Sequence, residues 1–265
     1  MSGVWEVSAI KYAERNGRTR ADSFLFDEAH DAPHPMDYFL WLLRRGREMI
    51  LVDTGYDSAE AAARGRPILM DPRAALKPLG VRAEDITQLI VTHLHYDHAG
   101  GLHLFENATL HLQQREMAFA TGPCMCHPTL KMPYTGDHIC EAIKRLYAGK
   151  LVFHDGDAQV ADGVSVHRIG GHSRGLQAVR VRTEAGWLCL ASDAAHFYEN
   201  LNAQKPFPIV VDLQDMLDGF GRLKELASSP ELIIPGHDPL VCKVFPQGPA
   251  AHIFRLDHGP HKPLA

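Results

Sequence analysis

The sequence has neither a long apolar run nor a concentration of positive charge. Its 265 residues contain 27 Lys and Arg against 32 Asp and Glu, a formal net charge of −5, and the basic residues are scattered. Scattered charge forms no basic stripe for neutralising phosphates, so nucleic acid is not expected as a partner. No window approaches the roughly 18 apolar residues of a membrane helix, and the first residues lack a signal-peptide pattern. We therefore expect a cytoplasmic protein that does not engage a membrane.

Cysteine is also scarce and unevenly spaced. The five Cys residues are odd in number and show no paired spacing of the kind that frames a disulfide-rich domain, so we expect reduced thiols. The run Cys124-Met125-Cys126-His127 has no second pair downstream, which a structural zinc site would require. We interpret it as part of an irregular loop.

No linker rich in Pro, Gly or Ser divides the sequence, which favours one domain spanning residues 1–265. Two apolar runs joined by a polar turn predict a hairpin at 38–43 and 49–52. Further strands are predicted at 88–92, 164–169, 177–181, 187–190 and 231–234, and helices at 72–79, 113–120, 137–148 and 212–227. This order predicts an α/β fold in which two sheets pack face to face with helices outside.

Residues 121–150 interrupt that alternation. Their first half contains Pro123, Pro128 and Pro133 in a long irregular stretch before the helix predicted at 137–148. Long irregular segments in compact domains are commonly functional. We predict a cap-like insertion that covers a pocket and influences substrate choice.

Histidine is abundant, with 17 residues, so most of them must be bystanders. One group is concentrated: His93-Leu94-His95-Tyr96-Asp97-His98 directly follows the strand predicted at 88–92. Imidazole nitrogens and carboxylate oxygens are ligands that suit zinc and similar divalent metals. In a loop, alternate residues can converge on one metal while the next pair points at a second. The motif therefore predicts a metal centre.

This motif resembles the His-x-His-x-Asp-His loop of the metallo-β-lactamase superfamily. The superfamily has three further ligands downstream, each at a strand end, and His172, Asp193 and His237 occur in suitable contexts. The resemblance implies an αβ/βα sandwich of two mixed sheets and two divalent cations, with Zn²⁺ expected. The implied ligands are His93, His95 and His172 for one cation, Asp97, His98 and His237 for the other, and Asp193 as the bridge between them.

The superfamily often places an aspartate at the end of the hairpin to accept the second N–H of a ligand histidine, and Asp53 occupies that position. The alternative interpretation is a turn aspartate that bonds its own backbone. Candidate apolar pocket walls, each equally suited to a core, are Trp41, Met132, Tyr134, Phe197 and Phe207.

Four segments narrow the resemblance to the N-acyl homoserine lactone hydrolase branch: 51–55, 92–101, 192–195 and 235–239. This branch implies a hydrolase that opens a lactone or related cyclic ester with a metal-bridging hydroxide as nucleophile. The substrate would be a small-molecule lactone or ester, and Asp97 would also carry the proton released during catalysis.

One position departs from the branch pattern. Its members usually carry a tyrosine three residues after the bridging aspartate, and this sequence has His196 there. An imidazole can donate a hydrogen bond to a developing oxyanion, so we expect His196 to be catalytic. A packing role for His196, and replacement of the tyrosine by Tyr198, remain alternatives.

The same fold is compatible with other functions. A glyoxalase II-like thioesterase would use a similar dimetal site, but the segment from Val241 onward lacks a recognisable helical module for a glutathione carrier. A β-lactamase is disfavoured by Asp193 at the bridging position, and a non-hydrolytic metal-binding or redox module would be expected to have lost or changed ligands. A homodimer is expected because it is the commonest assembly.

Overall fold

The computed structural model describes residues 3–264, so Met1, Ser2 and Ala265 lie outside the described part. Within it, one sheet contains seven strands in the order β12-β1-β2-β3-β4-β5-β6. These are β1 Glu6–Arg15, β2 Met36–Arg45, β3 Glu48–Val52, β4 Gln88–Ile90, β5 Thr109–Gln113, β6 Leu151–His154 and β12 Ile253–Arg255. The pairs from β12 to β3 are antiparallel, and those from β3 to β6 are parallel.

The second sheet has five strands in the order β11-β10-β9-β8-β7 over the same described range. They are β7 Ala158–Ala161, β8 Val164–Arg168, β9 Gln177–Thr183, β10 Gly186–Ser192 and β11 Ile233–Pro235. The β10–β11 pair is parallel and the other pairs are antiparallel. Both sheets are therefore mixed.

Helices lie in the connections. They are α1 Ser58–Arg64, α2 Pro72–Leu76, α3 Tyr96–Ala99, α4 Gln114–Ala120, α5 Pro128–Lys131, α6 Gly136–Tyr147, α7 Tyr198–Asn202, α8 Leu213–Leu226 and α9 Leu240–Val244. Helix α8 begins after Asp212, whose carboxylate accepts a hydrogen bond from the Asp215 amide at 3.0 Å, an N-cap that satisfies one free donor. Among residues 3–264, no helix is long and apolar enough to cross a membrane.

Strand β2 explains why the layers stack as they do. Phe39, Trp41 and Leu43 point into a core shared by the two sheets. Their neighbours along the strand, such as Leu40 and Leu42, point into a core beneath the helices that cover the outer face of the first sheet. This period-two alternation is what a strand buried on both faces requires.

The second sheet is arranged in the same way. Val179 and Val181 of β9 face the inter-sheet core, whereas Ala178 faces a third core formed with Met216 and Phe220 of α8. The layers are thus helices, sheet, sheet, helices, which confirms the predicted α/β sandwich. Trp41 is a core residue between the sheets and not a pocket wall.

The segment 121–150 contains α5 and α6 and is attached to the first sheet. Ile139 and Ala142 of α6 join the outer core. Arg145, which is buried, donates hydrogen bonds to the carbonyls of Leu102, Phe105 and Ala108 at 2.8, 2.9 and 2.6 Å. A fixed helix in this position anchors the irregular residues that precede it.

Glu116, in the first turn of α4, connects three segments of the fold. One carboxylate oxygen accepts from the Leu94 amide and the Tyr134 hydroxyl, both at 3.0 Å. The other accepts from the Ser173 hydroxyl at 2.6 Å and the Gly175 amide at 3.0 Å. Four donors satisfy a carboxylate that has no exposed surface. The histidine loop, the insertion and the 172–175 turn are thereby held to one side chain.

We predict that E116Q lowers the free energy of unfolding by about 3 kcal/mol, because the amide nitrogen of Gln cannot accept hydrogen bonds and two buried donors lose their partner. Urea denaturation of the purified protein measures this. The matched control is Q114A, an exposed position on the same helix, which should change stability by less than about 0.5 kcal/mol. Equal midpoints for E116Q and the parent protein would contradict this account of Glu116.

Candidate metal centre

The seven residues predicted as metal ligands all lie at the ends of strands. His93 and His95 follow β4, and the first turn of α3 carries Asp97 and His98. The other three, His172, Asp193 and His237, follow β8, β10 and β11 respectively. All seven are buried, and the structure brings them together at one edge of the sandwich.

Their donor atoms form overlapping groups within which every pair of atoms lies within 4.8 Å. The groups are His93, His95, His172 and Asp193; Asp97, His98 and His237; and Asp193, His196 and His237. The first two coincide with the ligand sets implied by the superfamily resemblance. The third adds His196, which the sequence reasoning placed in catalysis and not among the ligands.

The two oxygens of Asp193 face different histidines. Oδ2 lies 3.2 Å from His172 Nε2 and 3.7 Å from His93 Nε2. Oδ1 lies 3.2 Å from His98 Nε2 and 3.1 Å from His237 Nε2. Each oxygen thus belongs to one half of the cluster, which is the geometry that a bridging carboxylate needs.

The histidine rings are oriented by hydrogen bonds on their outer nitrogens. His172 Nδ1 donates to the Ile209 carbonyl at 2.7 Å, and His237 Nδ1 donates to the Asp37 carbonyl at 2.8 Å. A neutral ring that donates through Nδ1 keeps a lone pair on Nε2. Lone pairs of both rings therefore point into the cluster.

Several acceptors in the cluster have no hydrogen-bond partner among the described residues: His93 Nε2, His98 Nε2, His237 Nε2 and Asp193 Oδ1. Buried polar atoms without partners are uncommon in folded proteins, and converging acceptors lack the protons to satisfy one another. Two cations, one in each half of the cluster, would satisfy all of them. The donor set, imidazole nitrogen with carboxylate oxygen, fits two divalent metals of the zinc type.

Asp53 makes the contact expected of it. Its Oδ2 accepts from His98 Nδ1 at 2.8 Å, and its Oδ1 accepts from the Thr92 amide at 2.7 Å. The backbone of Asp53 has φ of 59°, a strained conformation for a residue other than glycine. The aspartate at the end of the hairpin thus holds the ring of a candidate ligand.

The electrostatics of the cluster favour positive charge at His98, in the half that contains Asp97 and His237. Burial lowers the pKa of His93 and of His95 well below the usual value, so both rings are neutral ligands. For His98, burial also acts to lower the pKa, but the nearby carboxylates of Asp193 and Asp53 raise it well above the usual value. A field that stabilises a proton also stabilises a metal cation.

His196 lies within the cluster. It is buried, and its Nε2 is 3.0 Å from Asp193 Oδ2. Phe207 stacks on the ring with centroids 3.4 Å apart and planes within 6° of parallel. Burial lowers the pKa of His196 to about 3, so the ring is neutral at physiological pH. Tyr198, in contrast, is buried in the inter-sheet core and does not line the cavity at the cluster.

That cavity has a volume of about 340 Å³. Phe207 lines it, and so do Met132 and Pro133 of the insertion. Part of the predicted cap segment therefore lies against the site. The residues of the cavity wall that sequence reasoning missed include Arg15, Arg18 and Arg66. No motif marks them, because they come from separate segments that only the fold brings together.

The donor groups of the cluster include neither His111 nor the cysteines of the 124–127 run. His111 bonds to His154 at 3.0 Å and to Gln88 at 2.7 Å, away from the cluster. In the described part of the chain, neither Cys124 nor Cys126 belongs to a group of metal-type donors.

The chain is similar to known proteins along most of its length. A model of the metallo-β-lactamase superfamily matches residues 37–237. An N-acyl homoserine lactonase of Bacillus cereus is 32% identical over 177 residues, which cover 65% of each chain. A probable metallo-hydrolase of Mycobacterium tuberculosis is 25% identical over 228 residues, covering 72% of this chain and 71% of that protein. The match thus spans about two thirds of the curated lactonase.

Solved structures agree with the sequence comparison. An N-acyl homoserine lactone hydrolase with the product N-hexanoyl-L-homoserine bound at the catalytic metal centre is 25% identical, with a TM-score of 0.75, covering 90% of this chain and 95% of that one. A dizinc quorum-quenching lactonase, at 20% identity and a TM-score of 0.68, shares the fold. The chain belongs to the metallo-β-lactamase superfamily, and within it resembles the N-acyl homoserine lactonases.

Proposed function

We propose that this chain is a metal-dependent hydrolase that opens the ring of a lactone or related cyclic ester. The observation that carries the proposal is the Asp193 carboxylate, whose two oxygens face two separate groups of buried histidines. The similarity to N-acyl homoserine lactonases supports a lactone as the substrate class. The proposed substrate is a small molecule, in keeping with the cavity volume of about 340 Å³.

The residues that would hold the two cations are the seven candidate ligands, with Asp193 shared between the halves. When bound, such cations supply Lewis acidity and lower the pKa of water so that hydroxide is available near neutral pH. Asp53 holds the His98 ring in place, and the carbonyls of Ile209 and Asp37 do the same for His172 and His237.

Asp97 and His196 are the proposed catalytic residues. Asp97 lines the cavity, with Oδ2 3.8 Å from both His98 Nε2 and His237 Nε2, so it can carry a proton from the nucleophile to the departing alkoxide. His196 also lines the cavity, and Nε2 of its neutral ring lies 3.0 Å from Asp193 Oδ2. We propose that an N–H at this nitrogen stabilises the oxyanion that develops on the substrate carbonyl.

We predict that D193A abolishes both metal loading and hydrolysis, because without the Asp193 side chain the two cations would have no shared carboxylate. Metal content per chain, measured by elemental analysis beside lactone turnover, checks this. The control is D22A, a carboxylate that lines the same cavity but is not a proposed ligand. Turnover by D193A at the parental rate without stoichiometric metal would refute the metal-dependent mechanism.

We predict that the loaded enzyme hydrolyses lactones at least about tenfold faster, as kcat/KM, than a glutathione thioester or a cephalosporin. The three substrate classes are assayed with one enzyme preparation. Preference for the thioester would reassign the reaction to thioester hydrolysis while leaving the dimetal site intact.

We predict that H196A lowers kcat by about 10²-fold with little change in KM, because the N–H would act only as charge develops on the oxygen. Metal content should remain near the parental value. Partial recovery in H196Y, which restores a donor, supports oxyanion stabilisation. Loss of metal together with activity would instead identify His196 as a ligand, in line with its place beside Asp193 and His237.

A further inference from the structure

The cavity at the metal centre contains three arginines: Arg15, Arg18 and Arg66. An acyl homoserine lactone with a plain hydrocarbon chain is uncharged and offers a guanidinium no ionic partner. Arg15 is exposed and Arg66 is partly exposed, but Arg18 is buried, and a buried positive charge beside a neutral substrate would be desolvated without compensation. Their contacts therefore decide whether they serve the fold or a ligand.

Arg18 is the most informative of the three, because its side chain is enclosed. The residue is 4% exposed, yet Nε and Nη1 have no hydrogen-bond partner within residues 3–264. Only Nη2 is used, in a hydrogen bond to the Asp22 carbonyl at 2.5 Å. Arg145, a structural arginine, leaves only Nε without a partner and donates through both terminal nitrogens to three backbone carbonyls, whereas Arg18 uses one nitrogen of three.

Over the described residues, none of Arg15, Arg18 and Arg66 forms an ion pair with Asp or Glu, although Asp22 acts to raise the pKa of Arg18 and Asp97 acts to raise the pKa of Arg66. Arg66 instead donates to the Tyr96 hydroxyl. Asp22, the cavity carboxylate outside the ligand set, accepts from the Thr19 amide at 2.9 Å. Burial lowers the pKa of Arg18, while Tyr38 and Asp22 act to raise it and the smaller effects of Arg15 and Arg66 act to lower it. The positive charges are close enough to repel one another.

Arg18 is linked to the candidate ligand cluster through two aromatic rings. Its guanidinium carbon lies 5.8 Å from the centre of the Phe207 ring. Phe207 stacks on His196, and His196 contacts Asp193. Because Arg18 itself makes no hydrogen bond or ion pair with a candidate ligand in the described residues, we expect it to meet a part of the substrate other than the scissile carbonyl.

We propose that the substrate carries an anionic oxygen group, a carboxylate or a phosphate, that binds Arg18 with Arg15 and Arg66 around it. This inference rests on the proposed function and narrows it to anionic lactones or esters. The guanidinium leaves the nitrogens Nε and Nη1 without acceptors, and because they lie on different edges of the planar group, an anionic oxygen would meet one of them at a time. An anion there satisfies the buried donors and offsets the repulsion among the arginines.

Binding is tested on the metal-loaded enzyme with homoserine lactams, whose amide ring replaces the hydrolysable ester. One series ends its acyl chain in a carboxylate, a second in a neutral carboxamide of the same length, and a third in a phosphate monoester. Calorimetric titration should give at least about tenfold tighter binding of an anionic lactam than of the carboxamide. The carboxylate and phosphate series show which anion is preferred.

In R18Q, the ratio of the carboxamide Kd to the anionic lactam Kd should fall to about one. R18K should restore part of this preference, because Lys keeps the charge without the planar donors. R66Q, at a partly exposed position, should reduce the preference less. The matched control is R47Q, an exposed arginine of the β2–β3 turn, which should keep the parental preference. Urea midpoints establish that each variant is folded.

The outcomes separate this inference from the proposed function. Equal affinity for anionic and neutral lactams, no binding of either, or an anion preference that survives in R18Q would overturn the anion site even if lactones are hydrolysed. Anion preference that depends on Arg18, together with no hydrolysis of the matching lactones, would uphold the anion site and refute lactone opening.

Discussion

The buried Asp193 carboxylate is the constraint on which the rest of the site depends. A negative charge this far from water requires positive charge on both of its oxygens. Beside these oxygens the fold places His172 on one side and His98 and His237 on the other, with ring nitrogens 3.1 to 3.2 Å away, so cations held between them would supply that charge. Gly236 is part of this arrangement, because a Cβ there would lie 2.8 Å from Asp193 Oδ1. The backbone thus passes close to the carboxylate where a side chain would displace it.

Much of the site follows from the sequence because ligands at strand ends carry a local signal. The loop 93–98 is compact enough to be identified by residue type, and two of the three downstream ligands, His172 and His237, directly follow a glycine. Strand prediction was weaker: β1 was missed because its 10 residues mix Ser, Lys, Glu and Arg with apolar residues in no strict alternation. The strands β5, β6, β7 and β12 were missed because they are short and carry little hydrophobic contrast.

The contacts that complete the site had no local signal. Glu116 is an ordinary helix residue in sequence, and its partners Leu94, Tyr134 and Ser173 lie 18 to 57 positions away. Arg18 and Arg66 belong to polar segments that resemble solvated surface. Such contacts arise only when distant segments meet, so a pattern within one segment does not predict them. The one-domain organisation and the homodimer stay predictions.

Glu116 also has a mechanical consequence. Its carboxylate joins Tyr134 of the insertion to Leu94, beside His93 and His95, and to Ser173, beside His172. A substrate that displaces the insertion on entering the cavity pulls on both ligand turns through this one side chain. The geometry of one half of the candidate metal centre is therefore coupled to the position of a segment that lines the cavity. A substitution that shifts this segment would change substrate binding and ligand geometry together.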